Sequence, residues 1–300
     1  MNLSEFRISR RPLAVAAVLV GMVSLAIGAH AALNMRSLDA ALSVASEQAG
    51  PAAKNKPSRV ALVIGNGHYP DANTPLTQPI NDARALTSSL RRDGFDVDVI
   101  EDATKDDMDR AIGRLKAKIR PDSVVMLFFG GYGVQVGRES YMIPVDAAIW
   151  KESDVRRDGM SIESVLDAMK EQGACAKLVV VDASRRNPYE RRFRTFSHGL
   201  APITAPDNAL ILTSATPGQV ADDSAGQHSV LMSELLANLN SLNAGETNKA
   251  LADRAAAAEA IFNKTRIAIS RASDGAQVPS VSSSLLEDVR FGVTAANAGG

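Results

Sequence analysis

The chain has one cysteine, few aromatic residues and no excess of either charge. With Cys175 alone among 300 residues, an intrachain disulfide and a thiolate-rich metal site are excluded. Cys175 itself reads as a small, half-buried turn residue, because a reactive thiol needs an activating setting. The 33 Lys and Arg stand against 34 Asp and Glu, which leaves no electrostatic case for nucleic acid as the main partner. Aromatics make up 4% of the residues, yet the hydrophobic content of 45% is that of a globular protein. No H-E-x-x-H, P-loop or dinucleotide fingerprint occurs, and no internal repeat. What is present is enough chain to bury a good core in one domain, with further segments outside it.

Long uncharged runs are scarce too, with one exception. Pro12–Ala29 carries no charge, follows Arg7, Arg10 and Arg11, and leads into Ala29-His30-Ala31, an A-x-A cleavage pattern. Residues 1–33 therefore read as a signal peptide or a retained signal-anchor, since the run is long for the first and slightly short for the second. Either places the rest of the chain outside the cytoplasm, periplasmic or extracytoplasmic, secreted or anchored in the inner membrane, because the arginines stay inside. Residues 34–57 read as a linker, 58–292 as the globular domain and 293–300 as a flexible tail.

Within the domain, Arg59–Asn66, Phe95–Ile100, Val124–Phe129, Leu178–Val181 and Ala209–Thr213 are short apolar or alternating runs bounded by turn residues. They predict strands, the most apolar of them buried on both faces. Between them, Ile80, Ala83, Leu86 and Leu90, then Met108, Ile112, Leu115 and Ile119, then Ile162, Val165, Leu166 and Met169 recur at helical spacing. Gly94 is expected to end the first of these helices, Thr104 with Asp107 to cap the second and Ser161 the third. A hairpin-like passage containing Tyr141–Asp146 is expected after Gly130–Gly133, and two helices around Val230–Leu239 and Thr247–Ile269. Strands alternating with helices give an α/β fold: a parallel sheet covered on both faces. Chemistry in such sheets sits where strands end, which singles out Asp182 and Ser184 at the end of Leu178–Val181.

Seven stretches, taken in order, carry a resemblance. RVALVIGNGHY, QPINDARAL, VVMLFFGGYGVQ, YMIPVDA, KLVVVDASRRNP, ATPGQVADD and QVPSVSSSL together resemble the bacterial caspase-like, or metacaspase-type, peptidases of the C14 family, over roughly Ser58 to Gly292. The resemblance implies a caspase-like fold, with a mainly parallel six-stranded sheet between helices. It also implies cleavage by a Cys-His dyad after Arg or Lys. Both dyad positions differ here. Tyr132 in Gly130-Gly131-Tyr132-Gly133 stands where the family has histidine, and Ser184 in Asp182-Ala183-Ser184 where it has cysteine. A serine needs a base in the transition state, and a tyrosine with an ordinary pKa near 10 is a poor one at neutral pH. The two hydroxyls are expected to hydrogen-bond each other. Asp82 and Asp182 match the family's acidic pocket for the basic side chain, where paired carboxylates favour a guanidinium or ammonium guest. Backbone amides near Gly133 and Ser184 match an anion-binding notch.

The expectation is therefore a catalytically silent caspase-like domain that binds a peptide or protein segment carrying Arg or Lys, with its own loop Arg185–Arg194 as one such segment. The opposing reading is an endopeptidase that retains activity toward Arg and Lys sites through Ser184, with His68, on the same sheet end, as stand-in base. A third is a structural partner that uses an outer helical face. His198 and His228 are weaker candidates, and the arginine-rich loop otherwise reads as solvated. No cofactor is expected. Asp146, with Asp154 and Asp158 nearby, falls near acidic positions that bind calcium in some relatives, but the sequence assigns no complete oxygen cage there.

Overall fold

The computed structural model describes residues 57–70, 75–185, 199–221, 226–242 and 257–292. The expected export segment 1–33, nearly all of the linker, His198, the loop arginines beyond Arg185 and the tail 293–300 lie outside the described residues.

Six strands form one sheet: β1 (Arg59–Gly65), β2 (Asp96–Glu101), β3 (Val124–Gly130), β7 (Ala176–Asp182), β8 (Ala209–Thr213) and β9 (Ser280–Ser283), in the order β2-β1-β3-β7-β8-β9. All neighbours pair in parallel except β8 and β9. Between β3 and β7 the chain folds β4 (Gly133–Val136), β5 (Glu139–Met142) and β6 (Met160–Ser161) into a small antiparallel sheet. The described helices are α1 (Gln78–Arg92), α2 (Lys105–Lys118), α3 (Glu152–Asp158), α4 (Ile162–Glu171), α5 (Val230–Ser241) and α6 (Ala258–Ala272). None is long and apolar enough to cross a membrane.

The period of two in the strands splits the core into two layers. In β1, Ala61 and Val63 join one cluster while Val60, Leu62 and Ile64 join the other. In β3, Met126 and Phe128 face the first, Leu127 and Phe129 the second. Helices α1, α5 and α6 cover the first layer, and α2 and α4 the second. Phe128 and Phe129 are fully buried, so truncating either to alanine is a loss of about 3–5 kcal/mol.

Local signals set the helix ends. Past α1, Gly94 takes φ +80°. Its amide bonds the Arg91 carbonyl, and the Phe95 amide reaches back to Leu90, the paired bonds of a Schellman stop. Thr104 and Asp107 form a complete capping box ahead of α2, and Ser161 caps α4. The last helix begins at Ala258; the part of its expected span before residue 257 is outside the described residues.

Candidate functional site

The site lies where β1, β3 and β7 end level with one another. Gly65 pairs Gly130, and Gly130 pairs Asp182. Only glycine fits at Gly65, and Gly130 leaves little room for more. A Cβ on Gly65 would stand 2.5 Å from the Pro79 carbonyl oxygen, and one on Gly130 would stand 3.3 Å from the Pro79 Cβ. The first turn of α1 therefore lies flush on the sheet end and brings Asp82 to the side where Asp182 emerges.

Asp82 is fully buried. It accepts a hydrogen bond from His228 Nδ1 at 2.7 Å and one from the Ser229 amide at 3.2 Å. Ser229 is also the N-cap of α5, its hydroxyl accepting the Met232 amide. Burial, and next the negative charge of Asp182, push the Asp82 carboxyl up to about 6, against the opposing effect of the His228 and Ser229 bonds. Asp82 is thus no solvated surface carboxylate. It sits in the interior, close enough to Asp182 for the two charges to repel.

Asp182 and Ser184 are buried as well, and each carries an unsatisfied atom. Asp182 Oδ2 and Ser184 Oγ make no hydrogen bond among the described residues. Arg185, 5% exposed, lies across this floor. Its guanidinium donates to the Gly131 carbonyl at 3.0 Å and to the Asp182 carbonyl at 2.5 Å, and stands 3.7 Å from Asp182 Oδ1. One buried cation therefore ties the end of β3 to the end of β7 beside the acidic pair. Where the sequence suggested a solvated loop, the first arginine of the loop is interior.

Tyr132 and Ser184 do not form the expected hydroxyl pair, since Ser184 Oγ has no partner. The Tyr132 ring instead meets the Tyr69 ring edge-on, centroids 4.8 Å apart, at the margin of the small apolar cluster around β4 and β5. Tyr69 fixes this arrangement by donating its hydroxyl hydrogen to the Ile143 carbonyl and accepting the Tyr132 amide. The amides of the expected anion notch are engaged within the fold. Gly133 N–H bonds the Ala183 carbonyl at 3.1 Å, and Ser184 N–H the Ser214 hydroxyl at 3.3 Å. Leu200 closes over Gly133, where a Cβ would come within 2.6 Å of it.

His68 belongs to a different neighbourhood. Its Nδ1 lies 2.5 Å from Asp102 Oδ2, while Asp102 Oδ1 accepts the Gly67 and His68 amides. Burial raises the Asp102 carboxyl, but the bonds from His68 and Gly67 outweigh it and hold the pKa below the ordinary carboxylate value. Asp102 follows β2 and Ser184 follows β7, with β1 and β3 between those strands, so the His68 ring is turned away from the β7 end. Asp146 accepts the Lys105 amide at the start of α2. Asp154 accepts the Trp150 and Lys151 amides and pairs with Arg157, which also pairs with Asp158. These carboxylates do not converge, and no cluster of three or more His, Cys, Asp or Glu side chains placed to hold a metal ion occurs among the described residues. They do not fit a calcium cage.

Two residues of the site were under-read from the sequence. His228 lies 146 positions from Asp82, so no local pattern joins them; the only signal was its place just before the Ser229 cap. Arg185 sat in an arginine run whose composition points to solvent, although it is one residue past a buried strand end.

The family model described as the caspase domain (peptidase C14) matches residues 58–290. Mucosa-associated lymphoid tissue lymphoma translocation protein 1 of Homo sapiens is 30% identical over 141 residues, 47% of this chain and 16% of that protein. Its Mus musculus homolog is 31% identical over 146 residues, 48% of this chain and 17% of that protein. The match thus spans about a sixth of the length of these curated relatives.

Proposed function

The chain belongs to the caspase-domain family of peptidases, and from that premise we propose that it is a catalytically silent member that holds a basic side chain instead of cutting beside it. The observation that carries this reading is the state of Ser184. The hydroxyl at the nucleophile position is sealed from solvent and has no base, while the acidic pair beside it persists with a guanidinium already at hand. Tyr132, the residue opposite, is held against Tyr69, and a phenol of ordinary pKa is a weak general base near neutrality. Two buried carboxylates that repel each other gain from a cation placed between them. The guest is a peptide or protein segment with Arg or Lys, and Arg185, heading the run to Arg194, is the resident one. Export or membrane tethering belongs to the same proposal and rests on the basic and apolar pattern of residues 1–33.

The test uses the purified full chain with Arg- and Lys-containing peptide substrates, beside Ser184→Ala. No turnover by either protein is expected; turnover that Ser184→Ala abolishes overturns the silent reading. Affinity for an uncleaved Arg peptide is expected to fall at least tenfold in Asp82→Asn with Asp182→Asn, and unchanged affinity overturns the binding reading. Fractionation of expressing cells tests the location.

A further inference from the structure

On the far face of the sheet, α2 and α4 diverge above the small sheet and leave a cavity of about 360 Å³. One stripe of α2 lines it, Lys105, Asp109, Ile112 and Lys116, at the four-three-four spacing of a single helix face. From α4 come Ser164, Val165 and Ala168, and Met160 and Tyr141 close the base. The apolar part of the lining is made by Met160 and Val165, almost fully buried, and half-buried Ile112. The charges stand on the rim: Lys105, Lys116 and Arg156 against Asp109 and Glu139, an excess of one positive charge.

The charges are unequally engaged. Arg156 is held by Glu139 at 3.1 Å and by the Tyr141 hydroxyl at 3.3 Å. Lys105 reaches Asp109 at 3.4 Å and the Gly159 carbonyl at 3.5 Å, both long for an ammonium. The ammonium of half-buried Lys116 makes no hydrogen bond or ion pair among the described residues, although its neighbour Lys118 pairs with Asp96. A lysine stem lying along apolar surface normally carries its ammonium out to water. Here the stem borders a concave apolar floor large enough for a small molecule, and the head has no counter-ion.

We propose that this cavity binds an amphipathic monocarboxylate, its hydrocarbon part on Ile112, Met160 and Val165 and its carboxylate at Lys116 with help from Lys105. The volume admits a small organic acid and is too small for a helix. The single uncompensated charge calls for a monoanion, and the floor requires a tail. No cleft residue takes part, so this site stands or falls apart from the silent-peptidase reading.

Calorimetry on the full chain tests it, with octanoate as probe, acetate lacking the tail and octanol lacking the charge. Octanoate is expected to bind at least tenfold more tightly than either. Lys116→Gln is expected to weaken octanoate at least fivefold and leave octanol unchanged, and Ala168→Trp, which fills the cavity, to abolish both. Thermal unfolding of the two variants, matched to the parent, checks that they are folded. Failure of octanoate to bind, equal binding of octanol, or indifference to both substitutions overturns the proposal.

Discussion

The two halves of one sheet end treat their polar groups in opposite ways. Beyond β1 and β2, His68 and Asp102 lie near solvent, and each Asp102 oxygen has a donor. Beyond β3 and β7, Asp182, Ser184 and Arg185 are buried, and two of their polar atoms have no partner among the described residues. A satisfied pair at the surface is ordinary loop construction, worth little to stability. A buried group left unsatisfied costs free energy and calls for a reason. The contrast makes the β7 side the costly part of the ledge.

Four measurements sharpen or break this contrast, in order of effect. Arg185→Ala should be the most damaging, since it strips the Gly131 and Asp182 carbonyls of a donor and leaves Asp182 facing Asp82. A loss of about 3 kcal/mol or more in denaturant unfolding is expected, and a loss under about 1 kcal/mol would show that the buried cation does not organise the ledge. Next is pH. Asp82 titrates near 6 in the folded chain against an ordinary 3.8. Its stabilising contribution is therefore complete below about 3.8 and is lost as pH rises through about 6, a swing of up to about 3 kcal/mol. The Asp82→Asn variant should lack that part of the stability profile between pH 4 and 7. Ser184→Ala removes an orphaned hydroxyl and should be neutral or stabilising by about 1 kcal/mol. The smallest effect should come from His68→Ala, at most about 1 kcal/mol, because that pair is exposed. A larger loss there than at Arg185 would reverse the comparison.

How far the sequence disclosed all this depends on where the determining contacts lie. β1, β3, β7 and β8 were legible because strands buried on both faces must be apolar throughout, and the capping signals were legible because caps are local. β9 was not, since Ser280–Ser283 has no strand composition and is a strand only by pairing with β8. The seven residues of α3 and the two of β6 were likewise too short for periodicity to register. Within the site, the resemblance pointed to Asp82 and Asp182, but their environment was invisible. The His228 bond joins residues far apart in the chain, and the burial of Arg185 contradicts its composition. The packing of Tyr132 depends on Tyr69, which closes the first of the seven stretches but had no role assigned to it from the sequence.

The glycines of the ledge have a consequence of their own. Gly65 acts as a shim of zero thickness between α1 and the sheet, so the placement of Asp82 relative to Asp182 depends on a residue that carries no charge of its own. Exchanging Gly65 for alanine would press on the Pro79 carbonyl and displace the first turn of α1, Asp82 with it, while removing no charged group. On the proposed reading, the size of cation held between the two carboxylates would be retuned from behind the site.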